Sequence, residues 1–123
     1  MALRIQGEFP HARYTSFAIY DQVSKDWTQY GGYHSALADV QIRPDRGSSN
    51  PFVAGIRRSV KSRNYTIDAL PPNVAPLPSA RNFLVLPDTH ASGKPSAIEI
   101  WYRIYLPDHS TFSKGQTGNV ALP

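Results

Sequence analysis

Apolar and polar positions alternate along this chain in short blocks, and turn residues separate the blocks at fairly even intervals. Residues 97–106, AIEIWYRIYL, carry the clearest pattern. Ile98, Ile100, Tyr102, Ile104 and Leu106 share one face of an extended strand, and Glu99, Trp101, Arg103 and Tyr105 share the other. Residues 13–21, RYTSFAIYD, are dense in β-branched and aromatic side chains. Phe17 and Ile19 lie on one face; Tyr14, Ser16, Ala18 and Tyr20 lie on the other. Both faces read as partly buried, which predicts a central strand. The stretches 3–5, 38–43, 63–70, 82–86 and 120–122 read as further strands. Gly7 with Pro10, Lys25-Asp26, Gly31-Gly32, the loops 44–51 and 87–95, and Pro107-Asp108 separate them. The four prolines within 71–78 predict an extended surface connection. Only 33–38 and 53–60 are helix candidates, and both are short. Seven or eight short strands with little helix predict an all-β fold, an antiparallel sandwich or barrel. The strand over 98–106 is expected at the centre of a sheet.

Composition points the same way. There are two glutamates against seven aspartates, with eleven prolines and fourteen aromatics, a balance that suits strands and turns over helices. At 123 residues the chain reads as a single domain over 1–123 that buries roughly two-thirds of its unfolded surface. No run approaches the roughly 18 apolar residues of a membrane helix, so no membrane insertion is expected. With no cysteine, the chain has no disulfide, no thiolate metal site and no cysteine nucleophile. The formal charge of +4 attracts polyanions loosely and specifies no partner.

Several strings resemble an uncharacterised bacterial β-sandwich family of unknown function. They are Pro10-His11-Ala12-Arg13-Tyr14-Thr15-Ser16-Phe17 with Tyr20-Asp21, then the string from Asp39 to Phe52 through Pro44-Asp45-Arg46-Gly47-Ser48-Ser49-Asn50-Pro51. Tyr65-Thr66, Tyr102-Arg103-Ile104-Tyr105-Leu106-Pro107-Asp108 and the close from Gly118 to Pro123 complete them. The order of features is also similar to the C-terminal, jelly-roll-like half of bacterial proteins built from two paired domains of unknown function. The resemblance implies a jelly-roll-like β-sandwich of a kind found in exported (periplasmic or secreted) proteins. Because Met1-Ala2 stand directly before the matched stretch, it also implies an excised or leaderless domain. It implies no reaction.

The residues offer five places for chemistry. Asp45, Gly47, Ser48 and Asn50 present oxygen ligands around a glycine turn, the materials of a calcium loop. The spacing is not that of an EF-hand, so the preferred reading is a structural loop: Asp45 and Asn50 bond local backbone amides and Phe52 anchors the segment in the core. Arg103, in mid-strand, is expected to be largely buried and paired with Asp21 or Asp108. With Trp101 and Tyr105 these residues form the candidate ligand site. His11, His34, His90 and His109 lack metal-ligand spacing, so no metal or cofactor is expected. Ser16, His34 and Asp39 can be written as a triad, but no nucleophile-elbow motif supports it. The cations in 57–63, RRSVKSR, read as a solvated edge that blocks strand aggregation, which makes nucleic acid an unlikely partner. Finally, Tyr14, Tyr20, Trp27, Tyr30, Tyr33, Trp101 and Tyr105 exceed what a small core requires.

The leading expectation is a non-enzymatic binding or interaction module for a small ligand, carbohydrate among them, or a protein partner. The alternatives are a small enzyme with an Asp/Arg/Tyr pocket between the sheets, and a self-assembling structural subunit. A flat aromatic face would favour the module.

Overall fold

The alternation within residues 12–21 buries every side chain from Thr15 to Ile19, so this strand needs neighbours on both edges and cover on both faces. The computed structural model, which describes residues 2–21, 33–87 and 98–107 (Asp21, Tyr33 and His34 by backbone alone), supplies both. Its strands are β1 (Leu3–Glu8), β2 (Ala12–Asp21), β3 (Tyr33–Ala38), β4 (Asn64–Leu70), β5 (Phe83–Val85) and β6 (Ile98–Pro107), with one 3-10 turn at Asp39–Gln41. They form two three-stranded sheets, ordered β1-β4-β5 and β3-β2-β6. All pairings are antiparallel except β4 with β5. The protein is all-β. No helix among the described residues is long and apolar enough to cross a membrane.

The inner faces of the two sheets meet over one apolar cluster. Phe17 and Ile19 come from β2; Tyr65, Ile67 and Ala69 from β4; Leu84 from β5; Phe9, Ile42 and Leu86 from the connections. Ile98, Ile100 and Tyr102 of β6 pack against it, as their shared strand face predicts. The rings are ordered: Tyr65 lies 5.0 Å from Phe9 and 5.8 Å from Phe17, and Tyr102 stacks on Phe17 at 4.6 Å. At one edge the Val85 amide donates to Ser35 Oγ at 3.1 Å, tying β5 to β3 of the other sheet.

Residues 13–21 form the central strand β2, as expected, but the strand over 98–106, also expected at the centre of a sheet, pairs with β2 alone among the described residues. Near the end of β6, Tyr105 and Leu106 are exposed, and Leu106 takes a positive φ of 50°. Residues 33–38, a helix candidate, form β3, and the strand expected over 38–43 gives way to the 3-10 turn. The Asp39 carboxylate causes this. It accepts the amides of Thr15 at 3.1 Å and Val40 at 2.6 Å, and the Gln41 side chain accepts the Ala38 amide at 2.8 Å, so the backbone turns off the sheet edge. Residues 53–60 make separate turns instead of a helix, and Gly55 breaks the run at φ 87°. The expected strand at 120–122 lies outside the described residues.

The passage from the first sheet to the second runs through Phe9, Pro10 and His11, and a buried cation holds it. Arg63, 4% exposed, donates to the carbonyls of Phe9 (2.8 Å), Pro10 (2.9 Å) and Arg58 (3.0 Å), and its Nη1 also meets the His11 ring at 3.0 Å. The Phe9 amide returns a bond to the Arg63 carbonyl at 2.9 Å. Arg63→Ala leaves the buried carbonyls of Phe9 and Pro10, and the part-buried one of Arg58, without this donor and should cost about 3 kcal/mol, read as a shifted urea midpoint. Arg57→Ala, at an exposed side chain of the same run, should stay within about 0.5 kcal/mol.

Tyr65 generates a second test. Its hydroxyl is buried beside that of Tyr102 without a well-formed hydrogen bond. Burial, reinforced by the neighbouring Tyr102 hydroxyl, pushes its ionisation far above the usual phenol range. The folded state thus favours the neutral phenol. That contribution is full below about pH 10, where the unfolded phenol titrates, and is lost as pH rises beyond it. Tyr65→Phe should match or exceed wild-type stability at neutral pH and flatten the alkaline decline, measured by chemical denaturation between pH 8 and 11.

Candidate functional site

On β2 and β6 the residues that turn away from the core share the outer face of their sheet. The antiparallel register sets Tyr14 opposite Tyr105, Ser16 opposite Arg103, Ala18 opposite Trp101 and Tyr20 opposite Glu99. On the other side of β2, Ala38 stands opposite Ser16 and Ala36 opposite Ala18. Ser16, Ala18, Ala36 and Ala38 form a low floor, and β6 raises a ridge of long side chains beside it. Small residues across the register leave the room in which Trp101 and Arg103 lie down.

The ridge is organised by contacts between its members. The Arg103 guanidinium stands 5.0 Å from the centre of the Trp101 ring and 5.6 Å from that of Tyr20, and its Nη2 donates to the Tyr20 hydroxyl at 2.6 Å. Tyr20 and Trp101 meet at 5.3 Å, and Tyr14 and Tyr105 at 5.6 Å. Trp101 Nε1 donates to Glu99 Oε2 at 2.8 Å. Below the face, Thr15 Oγ1 donates to the Arg103 carbonyl at 2.9 Å and pins the strand. Trp101 remains 40% exposed, Tyr105 52% and Tyr14 40%. These are large rings in mutual contact that remain partly exposed, unlike the rings of the core.

Three of the five expected ligand residues, Trp101, Arg103 and Tyr105, therefore share this face. Arg103 is half-buried and not largely buried as expected, and it points away from the space between the sheets. Asp108 lies outside the described residues, and Asp21, opposite Ile98, is described by its backbone alone. Trp27, Tyr30, His90 and His109 also lie outside. Sequence reasoning did not anticipate Tyr20 as the partner of Arg103. The available signal was the register: an early strand and a late one, each with aromatic residues at alternate positions, bring those positions together when they pair.

The remaining candidates resolve into structure. In the written triad, Asp39 spends both carboxylate oxygens on backbone amides and Ser16 belongs to the outer floor. In the basic run, Arg63 is buried and Arg58 donates to the Ala12 carbonyl at 2.9 Å, so that run is only partly a solvated edge. In the 44–52 loop, Gly47 takes φ 79° and Asn50 is buried. Asn50 accepts the Phe52 amide at 2.9 Å, the local bond expected of it, and beyond that expectation donates to the carbonyls of Asp39 (2.7 Å) and Ile42 (2.8 Å), eleven and eight residues away. Asp45 departs from expectation: its carboxylate accepts the Thr66 hydroxyl at 3.0 Å on β4. Phe52 sits partly buried at the rim of the core, edge-on to Phe9 at 6.1 Å.

Among the described residues no three histidine, aspartate or glutamate side chains gather as a metal set. Asn50→Ala should cost about 3 kcal/mol, because two carbonyls and one amide lose their partner together. EDTA should leave the melting temperature unchanged; a drop reversed by calcium would make the loop a metal site. In comparisons with protein-family models, curated proteins and solved structures, nothing matches this chain, and the chemistry of the face is read from its own residues.

Proposed function

We propose that this protein is a non-enzymatic β-sandwich binding module whose outer aromatic face takes a carbohydrate. The observation that carries the reading is the ridge of β6, in which two half-exposed rings, Trp101 and Tyr105, flank a guanidinium held between Trp101 and Tyr20. Partly exposed rings offer apolar surface to the C–H face of a pyranose. Arg103, Glu99 and the tyrosine hydroxyls supply donors and acceptors for its hydroxyls. The rings are set by strand register and mutual packing, so little side-chain entropy is lost on binding. The alternating positions of a strand lie about 6–7 Å apart, which suits a short run of sugar units along β6.

The finer architecture belongs to the same proposal. The two three-stranded sheets are the kernel of a jelly-roll-like sandwich of seven or eight strands, of the type carried by the uncharacterised bacterial family that the 10–17, 39–52 and 102–108 strings resemble.

The test is titration of the full chain against soluble cello-, xylo-, chito- and malto-oligosaccharides, followed by calorimetry. A sugar that binds should do so about tenfold more weakly to Trp101→Ala or Tyr105→Ala, and Arg103→Ala should lose a similar factor. Failure of the whole panel to bind, or equal binding by the Trp101→Ala/Tyr105→Ala double variant, would overturn the reading.

A further inference from the structure

The opposite face of the molecule carries a second, differently built surface. On the outside of the first sheet, register sets Arg4 beside Asp68 and Gln6 beside Thr66, and these four residues floor a cleft of about 760 Å³. One wall is the segment Arg43, Asp45 and Arg46; the other is residues 78–81, ending in Arg81. Asn82 fastens both walls to the floor. Its buried amide accepts the Arg43 backbone N–H at 2.7 Å and donates to the carbonyls of Arg43 (2.8 Å) and Thr66 (2.9 Å). Arg81 Nη1 closes the end of the cleft by donating to the Pro44 carbonyl at 3.0 Å.

The charges in the cleft do not balance. Four arginines face two aspartates. Asp68 is taken by Arg4, whose Nε and Nη2 donate to its two oxygens at 2.7 and 3.2 Å. One oxygen of Asp45 holds the Thr66 hydroxyl. Arg43 and Arg46 have no hydrogen-bond or ion-pair partner for their guanidinium groups among the described residues. Arg81 spends one N–H on a carbonyl and keeps the rest. Three arginines from two walls, Arg43, Arg46 and Arg81, thus line one concavity that holds a single uncommitted carboxylate oxygen.

We infer that this cleft binds a small organic molecule bearing a tetrahedral oxyanion, a phosphate or sulfate monoester. A planar carboxylate has two oxygens and satisfies one guanidinium fork; a tetrahedral group offers three terminal oxygens, enough for forks from Arg43, Arg46 and Arg81 together. The cleft is far larger than the anion alone and falls in the range of roughly 300–1,000 Å³ typical of small-molecule sites. The Gln6 amide and the Arg4–Asp68 pair on the floor meet the remainder of the ligand. The inference is independent of the aromatic face, which lies on the other sheet.

The experiment is calorimetry and ¹H–¹⁵N spectroscopy of the arginine Nε–Hε groups in the full chain at fixed ionic strength. The probes are ribose 5-phosphate, glucose 6-sulfate, citrate and a ten-residue thymidine oligonucleotide. One of the two monoesters should bind saturably and shift Arg43, Arg46 and Arg81; which one binds more tightly identifies the oxyanion. Arg43→Ala/Arg46→Ala should weaken it about tenfold or more, and Arg13→Ala, at an exposed side chain elsewhere, should not. Circular-dichroism melting of each variant separates loss of the site from loss of the fold. Tighter binding of citrate would overturn the tetrahedral assignment. Tighter binding of the oligonucleotide, or equal shifts at Arg13 and Arg57, would reduce the cleft to general attraction of anions and overturn the inference.

Discussion

Where the chain leaves one sheet for the other, between Phe9 and Ala12, its backbone carbonyls turn into the protein and away from water. A carbonyl so placed needs a donor; Arg58 supplies it at Ala12, and Arg63 supplies it at the start of the crossing. The guanidinium of Arg63 reaches Phe9 and Pro10 on one side and Arg58 on the other. It fixes where β1 ends, where β2 begins and how the 57–63 segment enters β4. Because β1 and β4 pair through six residues and β2 carries both neighbours of its own sheet, both sheets are positioned from this point. Arginine suits the task through its rigid fork of five donors, which can satisfy several carbonyls at once.

The same device recurs at smaller scale. Asp39, Asn50 and Asn82 are buried, and each spends its side chain on backbone groups of segments distant in the chain or at a turn. Irregular segments thereby acquire the definition that ladder hydrogen bonds give strands. The 39–52 loop is held by Asn50 from within, and Asn82 ties it at Arg43 to Thr66 of β4. The arginine cleft inherits its shape from that clamp, so a surface made of loops has a defined outline.

The two faces of the sandwich are built on different principles. The aromatic ridge stands on strands, and its geometry follows from register alone: one residue of slip would move Trp101, Arg103 and Tyr105 into the core. The cleft stands partly on loops and draws its character from surplus charge. Rings with an interleaved cation support the proposed sugar-binding role. The surplus of arginines lining the cleft supports the proposed anion site.

The strands were largely legible in the sequence. Residues 13–21, 63–70 and 97–106 alternate with period two, and their inward sets, Phe17 with Ile19 and Ile98 with Ile100 and Tyr102, meet in the core as that alternation requires. The grouping of Trp101, Arg103 and Tyr105 on one face was legible for the same reason, since side-chain direction along a strand is a local property of the backbone. The partners of those residues were not local. Nothing in the order of residues says that β6 pairs with β2, and so places Tyr20 against Arg103, or that Asp39 reaches back to the Thr15 amide and converts an expected strand into a turn. Arg63 and Asp45 show the limit most clearly. In the sequence, one is a member of a solvated basic run and the other a turn residue; in the fold, one is the buried cation at the crossing of the sheets and the other serves a hydroxyl on β4. Periodicity determined which face each strand residue takes, because that depends on neighbours one and two positions away. Burial and partnership of the polar residues were decided by tertiary structure, because they depend on which carbonyls and hydroxyls distant segments bring within 3 Å.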